Sequence, residues 1–208
     1  LEPRRAAGSD PGALGTAAAA GQLAARALSR ARVHEQSVSV ASELQGAMLS
    51  DGSVADPQVE VSACYRPGVH DLQVGGDWYD TFRVAPDVVA LSVGDVVGRG
   101  LKAATSMGQL RTAVRAASDT GLPPEEVVER VDRFVDRTGT GFMASLVYGE
   151  LDLRAGVLRY TCAGHLPPLL VRAGGSAAYL GAARSTPLGV RGSPPRGAAA
   201  VRRAPGAR

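Results

Sequence analysis

Two aspartates, each preceded by glycine, are the residues best suited to chemistry in this chain. Asp77 lies in Val74-Gly75-Gly76-Asp77-Trp78-Tyr79-Asp80, and Asp95 in Gly94-Asp95-Val96-Val97-Gly98-Arg99-Gly100. The apolar run Val88 to Val93 between them reads as a buried strand. A strand that ends in Gly-Asp and passes through a glycine-rich turn into a helix presents its carboxylate at the rim of a sheet. Two such carboxylates, each beside a glycine that lets the backbone approach closely, can seat a hard divalent cation. Gly-Asp is also ordinary turn chemistry between strands, so the spacing alone leaves both readings open.

Other polar residues near these motifs read as structural. Asp80 follows Asp77 by three, which in a strand places it on the opposite side, so it is expected to support the fold or the outer shell of the site. His165, in Ala-Gly-His before Leu-Pro-Pro, reads as a hydrogen-bonded group at a strand end and not as a proton donor. Arg99 reads as a solvent-facing turn arginine, with phosphate binding at a cleft mouth as the alternative. Cys162 alternates within a strand pattern and belongs to the core. No motif orders a serine, a histidine and an aspartate into a nucleophilic triad.

The elements that must position these residues follow from periodicity. No proline interrupts Ala17 to Leu49, and its Ala, Arg, Gln and Glu content favours a long helix. Val40, Leu44 and Met48 give its end one apolar face, which either packs on its own domain or serves a signalling or dimerising helix. Val59 to Tyr65 alternates as a half-buried strand, and Trp78 to Val84 and Val88 to Val93 are two more. After Gly100, residues Ala103, Met107, Leu110, Val114 and Ala117 form one helical stripe. Pro124 suits the first turn of a second helix whose apolar face is Val127, Val131, Phe134 and Val135. The period then changes: Phe142 to Asp152 and Val157 to Ala163 read as a hairpin, with short strands from Leu169 and near Tyr179. Strands, two helices, then strands again argue for an α+β layered domain and against alternating βαβ units.

The chain has 208 residues, 45% of them hydrophobic and only 4% aromatic, so a core must be built from Val, Leu and Ala. The net charge of +3 is modest, but no acidic residue follows Asp152. Residues 191–208 carry five arginines among Gly, Pro and Ala, and are expected to form a disordered basic tail. That tail lacks the interleaved aromatics of a nucleic-acid arm, so no nucleic-acid partner is expected. No apolar stretch approaches the roughly 20 residues that cross a bilayer, and no secretory signal opens the chain. With two unclustered cysteines, Cys64 and Cys162, a cytoplasmic location with reduced thiols and no membrane partner is expected.

VGGDWYD, GDVVGRGLKAATSMGQLRTAVRA, GFMASLVYGELD, LRYTCAGHLPPLLV and TPLGV occur in one order. In this the chain resembles the bacterial metal-dependent protein phosphatases of the stage-II-sporulation-E-like branch, relatives of the protein phosphatase 2C superfamily. The likeness covers about Leu44 to Val190. It implies two antiparallel sheets packed as a sandwich flanked by helices, with the last strands missing. It also implies two Mn²⁺ or Mg²⁺ ions held by Asp77, Asp95 and the carbonyl of Val96, with Arg99 as a candidate substrate contact. The implied activity is hydrolysis of phosphoserine or phosphothreonine on a signalling protein, an anti-sigma-factor antagonist, by a metal-activated water. The implied organisation is a linker over 1–15, a signalling helix over 16–50 with homodimerisation as one role, a partial phosphatase domain over 54–190, and the tail. Relatives carry further metal aspartates after the Pro-Leu-Gly stretch, where this chain has none. The expectation is therefore at least one weakly held ion and little or no turnover, with a non-catalytic binding or dimerisation module as the alternative.

Overall fold

The tertiary structure, a computed structural model, describes residues 11–48, 58–64 and 75–202. Two compact units divide the chain, Leu1–Val40 and Ala41–Arg208. Helix α1 spans Pro11–Met48. It starts four residues earlier than the end of the expected linker, with proline in the first helical position, where no N–H is needed. Its Leu23, Leu28 and Val33 are exposed, and five-residue steps rotate them away from any one face. The side chains of Val40, Leu44 and Met48, expected to form its apolar face, lie outside the described residues.

Strands β1 (Trp78–Ala85) and β2 (Val88–Asp95) form an antiparallel pair, and β3 (Ser145–Asp152) and β4 (Val157–Ala163) form the expected hairpin. β2 and β3 are antiparallel neighbours, so these four strands lie in chain order across one sheet. Two short strands then meet β4: β7 (Arg184–Ser185) runs parallel to its end, and β8 (Ala199–Arg202) antiparallel to its start. A second sheet is a two-stranded ribbon of β5 (Leu169–Val171) and β6 (Ala177–Tyr179). The α+β class expected from the sequence is the one observed, with two sheets of very unequal size among the described residues.

Helices α2 (Leu101–Ser118) and α3 (Pro124–Thr138) cover one face of the larger sheet. All five members of the α2 stripe are buried. On α3, Val127, Val128, Val131 and Val135 are buried, and a left-handed Gly139 (φ 68°) closes its last turn. These side chains meet Trp78, Ala90, Leu146, Tyr148 and Ala163 from the strands. A smaller cluster of Val89, Leu151 and Leu153 joins partly buried Val59 and Leu158.

Asp80 ties β1 to α2. It is buried, and its carboxylate accepts hydrogen bonds from Arg115 Nε (2.6 Å) and Nη2 (2.7 Å) and from Arg111 Nε (3.0 Å). Arg115 also lies over the Phe82 ring, 4.7 Å from its centroid. Trp78 and Asp80 alternate with Asp77 and Tyr79, which leaves Asp77 on the opposite side of the strand, as its spacing requires.

Two expectations fail. Val59 to Tyr65 is not a strand: beyond a single bridge at Val59, residues 60–64 have no ladder, and Tyr65 lies outside the described residues. Alternation in the sequence reports which side chains could be buried, but a strand also needs backbone partners, and residues 60–64 pair with no strand although, among the described residues, β1 has only β2 beside it. The stretch 191–202 is not a disordered tail, because β8 pairs along it and Arg196 is buried. The Arg196 guanidinium donates to Asp132 of α3, to Ser185 Oγ (2.7 Å) and to the Thr186 carbonyl (2.9 Å). Asp132 also accepts the Gly189 N–H at 2.7 Å. Low hydrophobicity hides this, since the segment is fixed through one arginine and not through an apolar stripe. Removing one partner of a buried ion pair costs about 3–5 kcal/mol, and Asp132 here is partly exposed. Arg196→Ala should therefore lose about 2–3 kcal/mol, with amide protection falling most over residues 186–202 in hydrogen exchange.

Candidate active site

The site is built at one end of the larger sheet. Asp95 is the last residue of β2, and Asp77 immediately precedes β1. The β1–β2 register ends at Trp78 opposite Gly94, and one step further brings Asp77 opposite Asp95. The ladder does continue that far, because the Val96 N–H donates to the Gly76 carbonyl at 3.2 Å. The glycines make this closeness feasible. A Cβ on Gly94 would lie 2.1 Å from the Trp78 indole, and one on Gly76 would lie 2.4 Å from the Val96 carbonyl oxygen. Gly94→Ala should thus displace the buried indole and cost about 1–3 kcal/mol by overpacking, read as a lower denaturant midpoint with loss of the native Trp fluorescence.

The two carboxyl groups stand opposite each other at the end of the ladder. Burial first, and then the facing Asp77 carboxyl, push Asp95 up to about 6. Like charges placed directly opposite on adjacent strands repel, and a bound cation would reverse the sign of that interaction. This donor set therefore fits a hard divalent ion: two carboxylates, with the Val96 backbone one residue on. Among the described residues no group of three or more His, Cys, Asp or Glu side chains gathers at one point. The fit is thus to an ion that keeps much of its water shell, as Mg²⁺ readily does.

Neighbouring strands extend the row. Ser145, the first residue of β3, pairs with Asp95, and Leu146 bridges to Gly164 just after β4. His165 follows, with its Nδ1 2.7 Å from Ser145 Oγ. Burial lowers the His165 pKa below its usual value, and the charge of Asp77 opposes that shift. Asp77 and His165 line one cavity of about 510 Å³, which is also bounded by Tyr79, Val93 and the segment Val61–Cys64.

The candidate residues thus divide. Asp77, Asp95 and Val96 come together. Arg99 is exposed in the turn before α2 and makes no hydrogen bond or ion pair among the described residues. Asp80 follows Asp77 in the cavity lining, but its carboxylate is engaged by Arg111 and Arg115 of α2. Cys162 is buried, and its thiol donates to the His165 carbonyl at 3.0 Å. Ser145 carried no signal in the sequence, where it lies inside the strand expected from Phe142 to Asp152. Its place beside Asp95 comes from the β2–β3 register, which joins residues separated by two helices.

A sheet-and-helix domain with paired aspartates at the strand ends defines the class to which the comparisons also lead. The family model described as Stage II sporulation protein E (SpoIIE) matches residues 85–208, and the chain belongs to that family. The match runs on past Val190, where the likeness read from the sequence stops. The RsbU and RsbW domains of Rv1364c from Mycobacterium tuberculosis are 39% identical, with a TM-score of 0.59 over 64% of this chain and 37% of that one. The Phosphoserine phosphatase RsbU of Bacillus subtilis (strain 168) is 24% identical over 131 residues, 62% of this chain and 38% of the relative. The SiaA-PP2C domain of Pseudomonas aeruginosa shares the fold with a TM-score of 0.63, 17% identity, and coverage of 86% and 70%. This chain spans under two-fifths of the length of the RsbU and Rv1364c relatives. Among the described residues no helix is long and apolar enough to cross a membrane.

Proposed function

We propose that this domain is a metal-dependent protein serine/threonine phosphatase, acting in the cytoplasm on a phosphorylated signalling protein, with an anti-sigma-factor antagonist as the substrate class. The observation that carries this reading is the cross-strand register that sets Asp77 opposite Asp95 at the end of the β1–β2 ladder. The RsbU relative, a phosphoserine phosphatase by name, supports the substrate chemistry, and the RsbW domain beside RsbU in Rv1364c supports a protein partner.

Asp77, Asp95 and the Val96 carbonyl are the residues proposed to hold Mg²⁺ or Mn²⁺. When bound, such ions lower the pKa of a coordinated water and neutralise charge on phosphoryl oxygens. The protein's own part is positional. The β1–β2 ladder fixes the two carboxylates, glycine at 76 and 94 removes the side chains that would part the strands, and Trp78 seals the core beneath them. Arg99 is retained as a phosphate contact from the turn. Residues 54–190 are proposed as the catalytic part and the helix over 16–50 as its signalling and dimerising input.

The second reading is a non-catalytic module that binds a phosphoprotein. It is favoured by the lack, among the described residues, of a third carboxylate at the site. One experiment separates the two: Mn²⁺ titration of the protein with a phosphoserine peptide as substrate. Saturable binding with peptide hydrolysis, slow for the family, is expected. Folded protein that binds the peptide with no metal-dependent release of phosphate would exclude the enzyme.

A further inference from the structure

His165 lines the same cavity as Asp77, and its ring and flanking backbone are held by several contacts. Ser145 Oγ engages Nδ1 at 2.7 Å. The Cys162 thiol donates to the His165 carbonyl at 3.0 Å. Just before it, Gly164 adopts φ +66°, where a Cβ would come within 2.5 Å of the Pro187 ring, and its N–H donates to the Ser185 carbonyl at 2.9 Å. The backbone on both sides of the imidazole is thereby fixed. Nε2, in contrast, has no hydrogen-bond partner among the described residues. The ring lines the same 510 Å³ cavity as Asp77, close enough to feel its charge.

We propose that His165 contacts the phosphoryl group of the substrate, its Nε2–H donating to a non-bridging phosphoryl oxygen, with Ser145 as the positioning residue that sets the tautomer. The inference rests on the phosphatase reading and adds a substrate contact to it. An imidazole with one ring proton offers one donor and one acceptor. When the Ser145 hydroxyl donates to Nδ1, the proton is left on Nε2, the nitrogen without a protein partner. Ser145 is itself registered against Asp95. The strand pairing that places the carboxylates therefore also places the hydroxyl that orients the ring. A phosphomonoester drawn to the carboxylate end enters a cavity that already presents this donor. No proton is transferred: the histidine binds and aligns.

The test uses the 208-residue chain as wild type, His165→Ala, His165→Gln and Ser145→Ala, each checked by thermal unfolding. Calorimetry measures Mn²⁺ binding first, and then inorganic phosphate binding to the Mn²⁺-saturated protein. A hydrogen bond to a charged group is worth enough for about a tenfold change in affinity. His165→Ala should therefore bind phosphate about tenfold more weakly, with Mn²⁺ affinity within about twofold of wild type. Ser145→Ala should lose about threefold through misorientation, and His165→Gln, whose side-chain amide reaches the place of Nε2, should recover most of the loss. Should His165→Ala fail to fold, the Gln and Ser145 variants decide. Unchanged phosphate affinity overturns the proposal, as does a loss explained by weaker Mn²⁺ binding. A wild type that binds neither Mn²⁺ nor phosphate overturns the phosphatase reading itself. Binding of both with no effect of the variants overturns only the role of His165.

Discussion

Asp95→Asn is expected to remove metal-dependent phosphate release and to weaken Mn²⁺ binding by a hundredfold or more, while leaving the metal-free fold intact or slightly firmer. Loss of a group that only supports a metal ligand costs about 10–100-fold in affinity, so removing a carboxylate proposed to ligate the ion should cost at least the upper end of that range. Stability should move the other way. Asp95 faces Asp77 across the β1–β2 ladder, and the contact disfavours its charged form. Facing like charges on adjacent strands destabilise by about 0.2–1 kcal/mol, and an amide at 95 can donate to Asp77 instead. Calorimetric Mn²⁺ titration and urea unfolding, run on the same variant, read the two effects separately. A variant that lost stability and kept Mn²⁺ affinity would show that the pair is structural.

Asp80→Ala is expected to cost about 3–5 kcal/mol, the range for breaking a buried ion pair by removing one partner. Asp80 is buried while Arg111 and Arg115 are partly exposed, so the arginines can turn to water and the lower end is favoured. The effect should appear as a lower urea midpoint with an unchanged slope. The same carboxylate predicts a pH dependence. Burial alone would raise its pKa, but hydrogen bonds from Arg115 and Arg111 outweigh that and hold it below the ordinary value of 3.8. The folded state therefore binds the proton less readily than the unfolded chain. The stabilisation is complete above the unfolded pKa and is lost as pH falls below about 4 through the folded value. Urea midpoints at pH 7, 5 and 3 should fall for wild type between the last two, and fall less for Asp80→Ala.

The distinction between Asp77 and Asp80 was legible in the sequence. They lie three residues apart in one strand motif, and a period of two puts them on opposite sides. The α2 stripe was equally legible, because Ala103, Met107, Leu110, Val114 and Ala117 face the core at helical spacing. Val59 to Tyr65 misled because apolar and polar residues alternate there in the sequence, whereas among residues 59–64 only Val59 and Val61 are half-buried and no ladder forms. Residues 191–202 misled because Arg196 fixes them through a guanidinium, which composition counts as solvent-loving.

By itself, then, the amino-acid order determined the local elements, the two Gly-Asp motifs and the family to which they point, since each depends on residues close together in the chain. Only the tertiary structure decided that Ser145 and His165 stand beside those aspartates. The reason is register. A pairing between β2 and β3 across 49 intervening residues, from Asp95 to Ser145, is set by which sheet face packs on α2 and α3, and no local pattern carries that information.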